Sequence, residues 1–136
     1  MKKKINLNLI VTAIFTAIIT MICMNVIYFY LFDKQVKKDL RNTAQTLQET
    51  GVFNKSAKIP DISVENMRIT WIDTDGTVLY DNENDETILE NHLNRPEVKE
   101  AISNGEGDSD RQSATMDAKT YYHAILLDDG TILRVS

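Results

Sequence analysis

A short stretch in the middle of the chain has the residue types and spacing for phosphoryl chemistry. In Trp71-Ile72-Asp73-Thr74-Asp75-Gly76-Thr77 an apolar run leads into Asp-x-Asp-Gly-Thr. In that order a first carboxylate can attack phosphorus while a second, two residues on, serves as acid and base. The same residues suit a tight turn between two strands, because Gly takes positive φ and Asp side chains accept from backbone donors two residues further on. One reading makes the chain an enzyme; the other leaves it without catalytic equipment.

Internal comparison favours the turn. Ile72-Asp73-Thr74-Asp75-Gly76-Thr77-Val78-Leu79 is echoed by Leu127-Asp128-Asp129-Gly130-Thr131-Ile132-Leu133, so one strand-turn-strand device is used twice, and a catalytic loop needs no copy. A phosphatase of the haloacid dehalogenase type also needs a parallel sheet, whose crossovers each take a dozen or more residues. About sixty residues follow Gly76, with room for one convincing helix. The best imitation of a metal-binding Asp pair, Asp128-Asp129, lies in the echoing turn. Calcium binding of the EF-hand kind fails too, since counting back from Gly76 puts Trp71 where the first Asp ligand belongs. Asp73 and Asp75 are therefore expected to form turns, and the chain is expected to carry no catalytic residue, metal site or cofactor.

The elements around these turns begin with a membrane-length helix. Leu9 to Phe32 contains about 24 residues without a charge, enough to cross a hydrocarbon core of about 30 Å. It ends in Tyr28-Phe29-Tyr30-Leu31-Phe32 and runs into Asp33-Lys34 with no small-residue cleavage site, which reads as an uncleaved anchor with an aromatic belt. Thr12, Thr16 and Thr20 recur every four residues, either as a packing face or bonded back to their own helix. The only cysteine, Cys23, lies inside this run, so no intrachain disulfide is possible.

Charge is divided unevenly. Up to Arg41 there are seven Lys or Arg against two Asp or Glu; beyond it there are eight against eighteen, together the 15 and 20 of the whole chain. The soluble part, with about ten net negative charges, repels nucleic acid and anionic lipid. Lys2, Lys3 and Lys4 on one side of the apolar run face Lys34, Lys37, Lys38 and Arg41 on the other, so the positive-inside count does not settle orientation.

Past the membrane run, Val36, Leu40, Thr43 or Ala44, and Leu47 recur at helical spacing up to Gly51, the stripe of an amphipathic helix that docks on its own domain or forms a coiled coil, and does both if the domain pairs through it. Asn54 to Glu65, with Pro60, reads as a connection. Strands are expected over Arg68 to Asp73, Thr77 to Asp81, Arg111 to Met116, Thr120 to Leu127 and Thr131 to Val135. Asp81 to Glu90 reads as a solvated acidic loop. Asn94-Arg95-Pro96-Glu97 opens a second helix, with Asn and Glu spaced as in a capping box and Pro in the first turn; Val98, Ala101 and Ile102 form its buried face, and Gly105 or Gly107 ends it. Asp117-Ala118-Lys119 and Asp128-Asp129-Gly130 separate the last strands, which should pair antiparallel. The order is α-β-β-α-β-β-β.

That order, with "RITWIDTDGTVLYDNE", "ENHLNRPEVKEAI" and "TYYHAILLDDGTILRVS", resembles the N-terminal part of membrane sensor histidine kinases related to phosphate-regulon sensors. The most specific piece is Asn91-His92-Leu93-Asn94-Arg95-Pro96-Glu97-Val98 after the first hairpin. The resemblance implies an α+β fold of the PAS-like (PDC or Cache) type: a transmembrane helix continues into a long amphipathic helix packed on one face of a five-stranded antiparallel sheet, with a pocket on the other. It implies a cytoplasmic tail over 1–8, a membrane helix over 9–32, a juxtamembrane signalling helix over 33–50 and a C-terminally incomplete extracytoplasmic sensor domain over 51–136. It also places Lys2 to Lys4 in the cytoplasm. The kinase parts themselves, a second membrane helix, a phosphoacceptor His domain and an ATP-binding domain, have no counterpart in the chain, which reads as the sensory piece of a longer kinase or the product of a truncated gene.

The resemblance implies an effector pocket where the last three strands meet the loop and helix. Arg111 and Arg134 on flanking strands can neutralise a carboxylate or phosphate, with Tyr121 or Tyr122 as hydroxyl donors. His123 is a further candidate, with the option of responding to pH near neutrality. Alternation puts Tyr121, His123 and Ile125 on one face and Thr120, Tyr122 and Ala124 on the other, without choosing the pocket face. His92 reads as fixing the loop into the second helix, and Trp71 as core. A signal favouring one packing of the sheet on the Val36, Leu40 and Leu47 face would move that helix. The expected partners are the membrane, a second copy pairing through the N-terminal helices, and a small molecule or an envelope protein. Alternative classes are a stand-alone membrane-anchored interaction module and the input end of a chemoreceptor.

Overall fold

The computed structural model describes residues 2–55, 62, 64, 66–85, 87, 89–112 and 119–136, with side chains from Asn6 onward. The expected connection around Pro60, the end of the strand expected to reach Met116, and the turn at Asp117 and Ala118 lie outside the described residues. Seven elements follow one another: α1 (Lys2–Thr50), β1 (Ile69–Ile72), β2 (Val78–Asp81), α2 (Pro96–Asn104), β3 (Glu106–Gln112), β4 (Lys119–Leu126) and β5 (Ile132–Val135). The chain divides into two compact units, Met1–Gln35 and Val36–Ser136.

The first unit is helical and apolar. The most hydrophobic stretch of α1 has a mean hydropathy of 2.4 and is long enough to cross a membrane. Four of its polar side chains bond back to their own helix. Thr12, Thr16 and Thr20 donate to carbonyls three or four residues back, Thr20 to Thr16 at 2.8 Å, and Asn25 Nδ2 donates to Met21 O at 2.9 Å. The repeat of Thr is thus accounted for within its own helix.

The second unit is a sheet with a helix on each face. Its strand order is β2-β1-β5-β4-β3, and every neighbouring pair is antiparallel. On one face Leu40 and Ala44 of α1 meet Phe53, Ile69, Trp71, Ile125, Leu127, Leu133 and Val135, with Val36, Leu47 and Tyr121 at the margin. On the other, Val98 and Ala101 of α2 pack on Ile72, Ala124 and Ile132. Two-sided burial explains why β1 and β5 are buried at every residue while keeping alternation. At the end of the central ladder Arg68 and Ser136 exchange two backbone hydrogen bonds, of 2.8 and 2.9 Å.

The two Gly-centred turns are built alike. Gly76 and Gly130 have φ of 87° and 83°. Asp73 N–H donates to Thr77 O at 2.7 Å and Leu127 N–H to Thr131 O at 2.8 Å. Asp75 and Asp129 accept from the Thr77 and Thr131 backbones at 2.9 and 3.0 Å. Gly76 is fixed twice over, because a Cβ there would also lie 2.3 Å from Asn91 Oδ1 and 2.5 Å from Leu93 Cβ.

Four local expectations are corrected. Ile102, expected on the buried face of α2, is exposed. The edge strand β3 runs over Glu106–Gln112 rather than starting at Arg111; its Glu-Gly-Asp-Ser-Asp-Arg-Gln sequence has no apolar alternation, and pairing to β4 holds it. Asn94 and Glu97 form no capping box: the N-cap is Arg95 without a side-chain cap bond, and Glu97 is turned into the protein. Asp81, at the start of the acidic loop, is buried and accepts from Thr70, Arg68, Glu83 and Asn84. The helix ends at Gly105, with φ 89° and its N–H on Ala101 O, whereas Gly107 belongs to the strand.

Candidate functional site: an arginine-lined cavity

Register brings three of the predicted residues together. Arg111 of β3 stands opposite Thr120, Tyr122 of β4 opposite Ser109, and Arg134 of β5 opposite Ala124. All three point to the α2 face. The Tyr122 ring lies between two guanidinium groups, 4.1 Å from Arg111 and 5.4 Å from Arg134, close enough for cation-π attraction. A cavity of about 270 Å³ opens beside them, lined also by Arg68, Leu89, Glu90, His92 and Arg95.

The cations are held by an inner row of carboxylates. Glu97 is fully buried; it accepts from Ser109 Oγ at 2.6 Å and from Arg111 Nη2, and lies 3.6 Å from Arg134 Nη1. Arg68 Nε sits 3.0 and 3.2 Å from the two Asp81 oxygens. Arg134 Nη2 donates to Thr70 Oγ1 at 3.0 Å, and Thr70 in turn donates to Asp81 at 2.8 Å.

Protonation follows from these surroundings. Burial pushes Glu97 up, but Ser109, its own backbone and Arg111 outweigh it and hold the carboxyl below its ordinary value. Asp81 is lowered likewise, burial being overcome by Thr70, Glu83, Arg68 and Asn84. Burial, then Arg134, Arg95 and Arg68, lower His92 to about 4, so its imidazole is neutral at pH 7. Burial brings Arg134 down to about 10, with Glu97 opposing; it stays charged. Despite these partners, Arg111 Nε, Arg134 Nε and His92 Nδ1 are buried with no hydrogen-bond partner among the described residues. The two unpaired guanidinium donors, Arg111 Nε and Arg134 Nε, beside a cavity lined by four arginines are suited to a small anion.

Tyr121 and His123 lie on the opposite face. Tyr121 borders the α1 core, with Lys37 and Lys119 5.6 and 4.8 Å from its ring centroid. His123 is fully buried, its Nδ1 2.8 Å from Asp108 Oδ1, and Arg41 of α1 reaches Glu106 and Asp108 at 3.1 and 3.6 Å. The structure adds Arg68, Arg95 and Glu97 to the cavity region, along with His92, read from sequence only as a loop residue. His92 does fix that loop, its N–H on Gly76 O at 2.8 Å. Asp73, the former catalytic candidate, accepts from Lys55 Nζ at 2.6 Å and caps its own turn through Thr74 N–H at 2.7 Å.

An antiparallel five-stranded sheet between a long N-terminal helix and a short second helix, with a polar cavity on the short-helix side, defines a PAS-like sensor fold. Residues 27–132 match the Single Cache-like family, and the chain belongs to it. No curated protein matches the chain. Domains of this kind are typical of extracytoplasmic sensors, and with the N-terminal apolar helix this suggests a membrane-anchored extracytoplasmic domain.

Proposed function

We propose that the chain is the extracytoplasmic sensory input of a membrane sensor histidine kinase, and that its effector is a small anion held by Arg111, Tyr122 and Arg134. The observation that carries the anion reading is the pair of buried guanidinium Nε groups, on Arg111 and Arg134, without a partner among the described residues beside a cavity. A carboxylate or phosphate oxygen supplies the acceptor that these donors lack.

The route of response follows from strand geometry. β4 presents Tyr122 to the cavity and His123 to the α1 face, and β3 presents Arg111 on one side and Asp108, tied to Arg41, on the other. An anion that draws Arg111 and Arg134 together shifts both strands against the Val36, Leu40 and Leu47 face. It acts only to the extent that it binds one packing better than another. In this reading the N-terminus is cytoplasmic, the chain has no catalytic role of its own, and two copies pair through their N-terminal helices.

Calorimetric titration of the full chain in nanodiscs with small carboxylates and inorganic phosphate tests the pocket. Saturable binding weakened at least tenfold in Arg111→Gln is expected; no binding, or binding indifferent to that change, overturns it. The kinase parentage rests on the sequence resemblance. Its test is an in-frame continuation past Ser136 that encodes a phosphoacceptor helix and an ATP-binding domain.

A further inference from the structure

The carboxylate behind the cavity has more to do than balance charge. Four guanidinium groups line the cavity, from Arg68, Arg95, Arg111 and Arg134, with Glu90 among them. Asp81 matches Arg68, and Glu97 matches Arg111. Among the described residues, four cations against three carboxylates leave one positive charge, to which the neutral His92 adds nothing.

Glu97 is also locked in place. Its carboxylate is fully buried on Ser109 and Arg111, and its backbone is pressed against β3, where a Cβ on Gly107 would lie 2.2 Å from Glu97 O. It stands in the first turn of α2, where the helix N-terminus favours a negative charge. A fixed charge a few ångströms from a desolvated guest discriminates strongly between ligands of different charge.

We propose that Glu97 is the specificity-determining residue of this pocket: by neutralising a guanidinium group without lining the cavity, it limits the preferred guest to a single negative charge. The guest class is then a small monocarboxylate, and dianions are disfavoured although arginines surround them. This rests on the anion-pocket reading given above.

The test is the full chain in neutral-lipid nanodiscs at pH 7.5, titrated with acetate and lactate as monoanions and with oxalate and malonate as dianions. The native protein is expected to prefer monoanions. Glu97→Gln, which leaves two positive charges, moves the ratio of dianion to monoanion affinity upward at least tenfold, and Glu97→Asp does not. Should Glu97→Gln fail to fold, Glu97→Gln/Arg111→Gln compared with Arg111→Gln isolates the same charge and shows the same tenfold rise. Monoanion binding with an unchanged ratio in these comparisons overturns the role of Glu97 and leaves the pocket standing. Binding of none of the four anions to the native protein overturns the monocarboxylate assignment, and if inorganic phosphate also fails to bind, the pocket reading falls with it.

Discussion

His123 Nδ1 lies 2.8 Å from Asp108 Oδ1 on the α1 side of the sheet, directly behind the strand position from which Tyr122 meets two guanidinium groups on the other side. The pair joins β3 to β4, and Arg41 ties the same Asp108 to α1. These contacts therefore connect α1 to β3 and β4.

Removing one member of the pair should cost more than removing both. Asp108→Ala leaves a fully buried imidazole unpaired at both nitrogens and is expected to destabilise by about 1–3 kcal/mol. His123→Phe/Asp108→Ala, which removes the buried imidazole together with its partner, should recover part of that loss. Urea unfolding of the three proteins checks the order.

Leu40 is the centre of the contact between α1 and the sheet, 5% exposed beside the fully buried Ala44. Leu40→Ala is expected to cost about 2–4 kcal/mol through lost burial and an unfilled cavity. Thr46→Ala, on an exposed position of the same helix, should stay within about 0.5 kcal/mol. Equal effects in thermal unfolding would show that the helix does not dock through Leu40.

Two glycines with nearly the same φ separate backbone strain from close approach. A Cβ at Gly105 meets nothing within 4 Å, whereas at Gly76 it meets Asn91 and Leu93. Gly105→Ala is expected to cost about 1 kcal/mol from the left-handed backbone alone, and Gly76→Ala clearly more. Chemical denaturation of each variant decides the point.

His92 gives stability a definite pH dependence. Its pKa falls from 6.5 to about 4 on folding, so the unfolded chain takes up the proton first as pH drops. The contribution is complete above about pH 6.5 and is lost progressively down to about pH 4, by up to about 3 kcal/mol. His92→Gln should flatten the native curve in that window, as measured by denaturant midpoints between pH 4 and 8.

What was legible in the sequence was local or strictly periodic. The echo of Asp73 to Thr77 in Asp128 to Thr131 carries its own hydrogen-bonding instructions, and the Leu40, Ala44 and Leu47 spacing declares a buried stripe. Alternation correctly separated Tyr121 from Tyr122. Which face held the cavity depended on α2 covering Ala124 and α1 covering Ile125, contacts between distant segments. β3 was misplaced because an edge strand needs no apolar face. Glu97 looked like a capping residue because its partners, Ser109, Arg111 and Arg134, are supplied by strands that come later in the chain; Arg68 and Arg95 joined the cavity in the same nonlocal way.

The paired hydrogen bonds between Arg68 and Ser136 end a strand that has neighbours on both sides, β1 and β4. A pull applied at Ser136 along β5 therefore loads two ladders at once in shear, so that their bonds resist together and do not open one after another. A tether at that point grips the middle of the sheet, and tension on it would be felt in the same strand that carries Arg134.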